Sequence, residues 1–461
     1  MKKNLTRLSV ICFVLGLIIS CRYVTYSENK PPKKYIVKTN VVHPDWSESA
    51  VIYKVDLAKH TPEGTIKAFI EDLPRLHAMG IEILMLSSIF PGEVTNGNIG
   101  NTYSWSVKDY LNISPQLGTK DDLEDLVKEA HSIDMYIVID WQGNYISSDN
   151  PMARSHPNWI SNEIKLNNRP SSDSVSSLKL NYENQELRQY MFDAMKYWVE
   201  ELDVDGFLCD EAGKIPCNFW NEARTELDEL KPVFMIAEDE DHSCLLANAF
   251  DMNCGYKLSH ILEGIATGGM KVKDLKAYFT KSDSIYEPAI YKMNFAGRDV
   301  KNIGDSSGLK KNGGAAEALT LLTFTVPGMA LINEETETGA SLRLDSLKFG
   351  TGIWENDKWT KLFKHFMKLK KGHAVFWNGA SGGSFEIIDI KTAKHVFAFL
   401  REGDDEKAVV LLNLSGKSVK FKLREKNLEG NYFNYFTSNS FDFQEQIELQ
   451  PFGYLVLLEE F

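Results

Sequence analysis

Residues 184–210 carry the sequence NQELRQYMFDAMKYWVEELDVDGFLCD. The first part, 184–201, predicts a helix, and DGFLCD (205–210) is a short apolar run that predicts a buried strand. Such a helix followed directly by a strand is the unit from which parallel sheets are built, because parallel strands need a crossover between them. The sequence on both sides of this stretch repeats the unit.

Seven clear strands and one weak candidate are predicted along the chain. Besides 205–210, the strands are 51–55, 81–88, 135–140, 233–237, 290–295 and 329–333, with the weak candidate YKLSHI at 256–261. Helices are predicted at 64–79, 120–132, 184–201, 216–229, 241–250, 271–281, 314–324 and 355–371. Eight strand–helix units favour a (β/α)8 TIM barrel. A doubly wound sheet is the alternative, but no Gly-rich phosphate loop follows the first strand.

The pattern changes after His373. Strands without intervening helices are predicted at 395–400, 407–414, 417–423 and 453–458, which is typical of an all-β domain. We therefore predict a barrel at 46–373, with a short second-domain insert near 145–180. A small C-terminal β-sandwich is predicted at 374–461.

The N-terminus has the pattern of a targeting segment. Residues 1–20 combine a basic start with an apolar stretch at 10–19 that is too short to span a bilayer. A small residue before Cys21 resembles a bacterial lipobox, in which this cysteine is lipidated; a plain secretory signal is the alternative. The polar residues 21–45 are predicted to form a tether. Together these features predict a lipid-anchored protein of the bacterial cell envelope, periplasmic or surface-facing.

Composition excludes several classes of protein. With 43% hydrophobic and 25% charged residues, the chain is neither disordered nor a multi-span membrane protein. The net charge is −13 and falls to −16 without the three basic residues of the signal, which argues against nucleic acid as a partner. Four cysteines remain after Cys21, namely Cys209, Cys217, Cys244 and Cys254. Buried free thiols are favoured for them, and a disulfide stays open.

Acidic residues follow three consecutive predicted strands. Asp140 ends the third strand, Asp210 the fourth, and Glu238 follows the fifth. In such barrels function lies at the C-terminal ends of the strands, so these carboxylates are expected to face one cavity. A carboxylate nucleophile beside a carboxylic acid/base is what retaining glycoside hydrolysis requires. Solvated loop charges are the alternative for any one of them.

The sequence resembles glycoside hydrolase family 13, the α-amylase family. The resemblance runs from about Trp46 to the C-terminus. It is carried by AVIYKVDLA (50–58), HAMGIEILMLSSIFP (77–91), SVKDYLNISPQLGTKDDLEDLVKEAHSIDMYIVIDWQGN (106–144), LNYENQELRQYMFDAMKYWVEELDVDGFLCDEA (180–212) and FGYLVL (452–457). It implies the barrel fold, the C-terminal β-domain, and an α-glucan such as starch or maltooligosaccharide as substrate.

The family motifs are matched residue by residue, and the match is mixed. The resemblance implies that Asp210 is the nucleophile and Glu238 the acid/base, whereas the Arg two residues before the nucleophile is Leu208 here. Asp140 matches the first motif, but the His that usually follows is Tyr145. The fourth motif begins at Asn294 without its His and Asp.

Other family positions are partly kept. The aromatic stacking position corresponds to Trp105, without its Asp partner, and Arg298 or Asp299 is a candidate to re-enter the site through a shifted loop. Trp105, Asp140, Tyr145 and Asn294 are thus the candidate substrate-binding residues.

The changed motifs support two hypotheses. One is an α-glucan hydrolase with weakened turnover that uses Asp210 and Glu238. The other is a non-hydrolysing relative that binds glycan or a protein partner. No cofactor or metal is predicted. The acidic run 238–241 offers oxygen ligands suited to calcium, but such a site needs ligands from several directions, so a solvated loop is favoured.

Overall fold

The structure is a computed structural model. It describes residues 35–92, 106–166, 176–296, 315–337, 358–423, 428, 430–443 and 445–460. Cys21, Trp105, Arg298 and Asp299 lie outside the described residues, as does the signal segment 1–20.

Eight parallel strands close into a barrel. Eleven strands precede the C-terminal region, and they are β1 (Ile52–Val55), β2 (Ile83–Leu86), β3 (Tyr136–Trp141), β4 (Tyr145–Ser147), β5 (Ile160–Leu166), β6 (Ser176–Leu180), β7 (Gly206–Cys209), β8 (Phe234–Ala237), β9 (Met252–Cys254), β10 (Tyr291–Asn294) and β11 (Met329–Asn333). The barrel order is β1-β2-β3-β7-β8-β9-β10-β11, and β11 pairs with β1 to close it. The predicted TIM barrel is therefore confirmed.

Strand side chains alternate between two apolar cores. Ile52, Val138, Leu208 and Ile236 belong to a cluster inside the barrel. Their neighbours along each strand, such as Tyr53, pack outward against the helices in a second and larger cluster. Because both faces of these strands are buried, their sequences are almost continuous apolar runs.

Helices surround the barrel. They are α1 (Leu57–His60), α2 (Ile66–Ile70), α3 (Leu73–Met79), α4 (Lys120–His131), α5 (Pro151–Ser155), α6 (Gln185–Glu200), α7 (Cys217–Asp228), α8 (Leu245–Asn248), α9 (Tyr256–Ala266), α10 (Val272–Ile285), α11 (Ala316–Thr325), α12 (Glu334–Glu337) and α13 (Lys358–Gly372). The predicted helix 64–79 is two helices, α2 and α3, and only part of 241–250 is helical.

The weak strand candidate at 256–261 is wrong. This segment lies within α9, and the sixth barrel strand is the three-residue β9 directly before it. Leu258, Leu262 and Ile265 are buried at helical spacing, which is visible only when the segment is followed beyond residue 261. A strand as short as β9 gives almost no periodic signal of its own.

Strands β4, β5 and β6 form a small antiparallel sheet at the C-terminal end of the barrel. Its strand order is β4-β6-β5. The sheet begins four residues after Trp141 at the end of β3, so it stands beside the strand ends where the candidate carboxylates lie.

The C-terminal region is antiparallel. It contains β12 (Ser384–Ile388), β13 (Val396–Glu402), β14 (Lys407–Asn413), β15 (Val419–Phe421), β16 (Asn431–Asn434), β17 (Ser440–Phe441), β18 (Ile447–Leu449) and β19 (Tyr454–Glu460). One sheet has the order β12-β13-β14-β19-β16-β17, and β15 pairs with β18. Ala398 and Leu411 of the large sheet share a buried core with Phe421 and Leu449 of the pair, which gives two packed layers.

Residues 35–47 run along the N-terminal end of the barrel. Val37 forms a bridge with Tyr286, and the indole of Trp46 stacks on Tyr136 with 4.1 Å between ring centroids. Trp46 also contacts Phe234, the first residue of β8. Residues 35–45 therefore contact the barrel, although they fall in the stretch predicted to be a tether. Among the described residues, no helix has both the length and the apolar character needed to cross a membrane.

Candidate active site

Three neighbouring strands deliver carboxylates to the C-terminal end of the barrel. Asp140 is the fifth residue of β3, Asp210 follows the last residue of β7, and Glu238 follows the last residue of β8. The backbone ladder continues through these positions. The Asp210 amide donates to the Trp141 carbonyl at 3.0 Å, and the Glu238 amide donates to the Cys209 carbonyl at 3.0 Å. This regular pairing brings the three positions to the same end of the barrel.

The three carboxylates face into the barrel. Each lies two residues after an interior apolar side chain, namely Val138, Leu208 or Ile236, so the alternation of the strand points it inward. Asp140 and Glu238 are buried, and Asp210 is partly exposed. This arrangement puts three acidic groups on the interior side of the barrel, two of them buried.

The carboxylates affect the pKa values of two neighbouring buried thiols. Burial raises the pKa of Cys209 well above its usual range, and the charges of Asp140 and Asp210 add to the rise. Burial likewise raises the pKa of Cys254, with contributions from Glu238 and Asp210. Asp210 follows β7, which lies between β3 and β8 in the barrel, so it stands between the other two carboxylates.

Both oxygens of Glu238 accept hydrogen bonds. The Tyr256 hydroxyl donates to Oε1 at 2.6 Å, and the Glu211 backbone amide donates to Oε2 at 3.4 Å. Burial, followed by the charges of Cys254 and Glu238, raises the pKa of Tyr256 far above its usual range. The phenol thus stays protonated and remains a donor to Glu238.

The turn after Asp210 is held by Asn144. Glu211 adopts a left-handed conformation with φ 45°, which is uncommon for a residue with a side chain. The Asn144 Nδ2 group donates to the carbonyl oxygens of Asp210 at 3.0 Å and Glu211 at 3.1 Å. Asn144 therefore fixes the backbone on which the candidate nucleophile stands.

The other predicted substrate-binding residues occupy different positions. Tyr145 begins β4 at the rim, with the Lys214 ammonium group 5.9 Å from its ring centroid. Asn294 follows the inward-facing Met293 and donates to the Pro327 carbonyl at 3.0 Å. The position of Asn294, outside the barrel interior, does not support its predicted contact with substrate.

The acidic run 238–241 sends its carboxylates to separate partners. Asp239 accepts from the backbone amides of Asp241 and His242, Glu240 accepts from the Lys257 amide, and Asp241 pairs with the Lys257 ammonium group. Within the described residues, no group of three or more His, Cys, Asp or Glu is arranged to hold a metal ion. The run therefore stabilises its own loop and the start of α9.

One cysteine prediction is wrong. Cys217 and Cys244 form a disulfide with Cα atoms 6.1 Å apart, whereas Cys209 and Cys254 are free and buried. The disulfide joins the start of α7 to the loop after β8. The two cysteines are separated by 27 residues, and only the adjacency of β7 and β8 brings their loops together.

A close approach of the same two loops supports the disulfide. A side chain at Gly213 would overlap Asp239 and His242, so the absence of a Cβ there lets the loops touch. The backbone that carries Asp210 and the backbone that carries Glu238 are thus fixed to each other.

Two inward-facing residues escaped the sequence reasoning. Lys54 lies on β1, and its only signal is that a charged residue interrupts an apolar strand at an inward position. Tyr256 lay in the segment interpreted as a strand, so nothing indicated its contact with Glu238.

The fold and the site define a class of protein. A closed (β/α)8 barrel with paired carboxylates at the ends of β7 and β8 is the architecture of a barrel glycoside hydrolase. A family model described as the alpha amylase catalytic domain matches residues 45–173 and 153–348. The chain belongs to the α-amylase family, as the resemblance implied.

Individual relatives agree with this assignment. Alpha-amylase 2 of Dictyoglomus thermophilum is 22% identical over 92% of this chain and 79% of its own length. The maltogenic alpha-amylase of Bacillus acidopullulyticus is 24% identical over 84% of this chain and 68% of its own length. Among solved structures, a noncanonic maltogenic alpha-amylase from Thermotoga neapolitana superposes with a TM-score of 0.77. It is 25% identical, and the match covers 90% of this chain and 99% of that one.

Proposed function

We propose that the protein is a retaining glycoside hydrolase that acts on α-glucans, with Asp210 as nucleophile and Glu238 as acid/base. The observation that carries the proposal is the placement of these two inward-facing carboxylates after adjacent strands. Membership of the α-amylase family supports the substrate class, because the relatives it matches are named as alpha-amylases and maltogenic amylases.

The chemistry needs opposite proton states of the two groups. Protonated Glu238 donates its proton to the glycosidic oxygen while ionised Asp210 attacks the anomeric carbon, so the leaving sugar departs and a glycosyl ester forms on Asp210. Glu238, now ionised, then takes a proton from water, which attacks the ester and releases the second sugar. Asp210 returns to its carboxylate form, and one glycosidic bond has been hydrolysed.

The direct test measures new reducing ends from maltooligosaccharides. Glu238→Gln should lower turnover by roughly 10²–10⁴-fold, because it removes the proton donor while keeping the side-chain shape. Asp210→Asn should lower it at least as far. Asp241→Asn is the matched control, since Asp241 is an exposed acid three residues from Glu238 that pairs with Lys257.

Covalent trapping separates a nucleophile from a merely structural carboxylate. A fluorinated glycosyl fluoride should leave one sugar on Asp210, detectable by mass spectrometry of the digested protein. Hydrolysis that is no faster in the wild type than in Asp210→Asn would contradict the proposed activity.

A non-hydrolysing glycan-binding role is the second candidate. The observation that favours it is Leu208, an apolar residue in the barrel interior whose Cα register partners are Asp140 and Ile236. Absence of turnover together with maltooligosaccharide affinity that is lost in Trp105→Ala would establish this role.

We further propose a lipid anchor at Cys21 in the bacterial cell envelope. The support is the basic and apolar segment before this cysteine, together with the path of residues 35–47 along the N-terminal end of the barrel. Expression of Cys21→Ser should move the protein from the detergent phase to the aqueous phase, and unchanged partitioning would exclude the anchor.

A further inference from the structure

Lys54 is a cationic residue inside the barrel. It is the third residue of β1 and only 8% exposed. Two residues before it, Ile52 belongs to the interior apolar cluster, so strand alternation turns Lys54 inward as well. Its Cα register partners, Met85 on β2 and Asn333 on β11, carry no charge. Solvation at the protein surface therefore does not explain the presence of a lysine at this position.

Strand alternation turns the Lys54 side chain toward the same barrel interior that the candidate carboxylates face. Burial is the main cause of the raised pKa of the Cys254 thiol; the negative charge of Glu238 adds to it, the positive charge of Lys54 opposes it, and Asp210 adds a smaller contribution. A cation delivered from β1 therefore acts on the same buried atom as both carboxylates. In the barrel order, β1 is three strands away from β7, so Lys54 faces the strands of the candidate site across the interior.

Three carboxylates that face the barrel interior repel one another when ionised, and a buried cation reduces this repulsion. Asp140 and Asp210 both act on the Cys209 thiol, and Glu238 stands on the next strand. Like charges at close range in a low-dielectric interior disfavour ionisation, whereas a nearby positive charge favours it. Since a carboxylate nucleophile reacts only when ionised, the position of one cation affects the whole site.

We propose that Lys54 is a positioning residue of this site, whose ammonium group offsets the charge of the three carboxylates and keeps Asp210 ionised and oriented. This inference rests on the proposed glycosidase activity for its kinetic consequence. Its electrostatic basis does not depend on turnover.

Three variants and one control test the role of Lys54. Lys54→Met removes the charge and keeps the length of the chain, and Lys54→Arg keeps the charge. The double variant Lys54→Met/Leu208→Arg places a cation on β7 instead of β1. Position 208 faces inward, and its Cα register partner on β3 is Asp140. Lys292→Met is the matched control. Lys292 is also 8% exposed on a barrel strand, but it lies beside the inward-facing Tyr291 and Met293 and contacts the Tyr286 ring at 3.9 Å.

Kinetics should separate charge from packing. In Lys54→Met, kcat should fall by about 10–100-fold with KM changed by less than about threefold, because the loss affects the reacting group rather than binding. The acidic limb of the kcat/KM profile should move to higher pH. Lys54→Arg, and the double variant if it remains folded, should recover about tenfold or more relative to Lys54→Met. Equal losses in Lys54→Met and Lys292→Met, with unmoved pH profiles, would overturn the proposal.

Thermal unfolding provides a readout without substrate. The charged groups that act on this region are Lys54, Asp140, Asp210 and Glu238, with the protonated Cys254 and Tyr256 beside them, and Lys292 interacts with Cys254 from β10. The difference in Tm between wild type and Lys54→Met should grow as pH rises from about 4 to 7, because the carboxylates ionise over that range. A difference independent of pH would contradict the proposal. If the wild type shows no turnover, the proposed activity fails while this profile still decides the role of Lys54.

Discussion

At the scale of single residues, the contact between Tyr256 and Glu238 bears on the protonation of the proposed acid/base. Tyr256 donates to Oε1 at 2.6 Å, and burial keeps its own pKa far above the usual range. A donor of this kind stabilises the carboxylate form of its partner. The contact therefore favours the ionised state that Glu238 would adopt after the proposed proton transfer.

Tyr256→Phe should change the pH dependence of the reaction more than its maximum rate. Without the hydroxyl, Glu238 keeps its proton to higher pH, so the basic limb of kcat/KM should move upward. The rate at the optimum should fall by about tenfold or less, which corresponds to the loss of one hydrogen bond to a charged group. Initial rates across the pH range measure both effects. Tyr278→Phe, a change at another partly buried tyrosine, is the control, and a shift of equal size there would contradict the assignment.

The limits of sequence reasoning are also clearest at this scale. Asp140, Asp210 and Glu238 were predictable because each follows an apolar run, and strand ends meet at one end of a parallel barrel. Lys54 and Tyr256 were missed because their roles depend on which residues face each other across the barrel. That information is not present in any local pattern.

At the scale of elements, the long amphipathic helices and the four- to six-residue barrel strands were predictable from periodicity. The exceptions are short or non-local. The three-residue β9 was missed because it is too brief to show a period, and the disulfide between Cys217 and Cys244 depends on loops that only the barrel brings together.

Removal of the disulfide should destabilise the protein and loosen the backbone around the site. Cross-linking residues 27 apart stabilises the folded state by about 3 kcal/mol, mainly through the entropy of the unfolded chain. Cys217→Ser/Cys244→Ser should therefore lower the free energy of urea unfolding by about that amount. A reducing agent should have the same effect on the wild type and none on the double variant. Equal sensitivity of both proteins to reduction would contradict the prediction.

A second prediction concerns the helices that enclose the first and last barrel strands. His60 at the end of α1 bonds Asp72 at 2.8 Å and Glu334 at 2.8 Å. Burial opposes protonation of His60, but the two carboxylates outweigh it and raise its pKa to about 9. Because the pKa of His60 is higher in the folded state, its ion pairs contribute fully to the free energy of unfolding below about pH 6.5. That contribution is lost as pH rises towards 9.

His60→Gln should therefore make the free energy of unfolding less dependent on pH between pH 6.5 and 9 than it is in the wild type. The wild type is expected to lose up to about 3 kcal/mol over that window, the equivalent of the pKa shift. Chemical denaturation at several pH values gives the measurement. His77→Gln, at an exposed position of α3, serves as the control, and wild-type stability that stays constant over the window would contradict the prediction.

At the scale of the whole molecule, two additions to the barrel close its outer surfaces. The large C-terminal sheet presents Phe397, Phe399 and Val410 to the core that surrounds the barrel strands. At the N-terminal end of the barrel, residues 35–47 reach across the strand starts, where His43 bonds the buried Asp251 at 2.8 Å. The C-terminal end of the barrel, where the candidate carboxylates lie, is left to the loops and to the small sheet of β4, β5 and β6.

The contribution of the N-terminal segment is testable at Trp46. Its ring packs 4.1 Å from Tyr136 and 5.5 Å from Phe234, which begin β3 and β8. Trp46→Ala should lower the free energy of unfolding by about 2–4 kcal/mol, because truncation uncovers apolar surface at the base of the barrel. Val42→Ala, at a residue 82% exposed in the same segment, should change it by less than about 0.5 kcal/mol. Urea denaturation distinguishes the two. Since Trp46 lies at the opposite end from Asp210 and Glu238, kcat should stay unchanged in the folded variant, and a matching loss of turnover would show that the two ends are coupled.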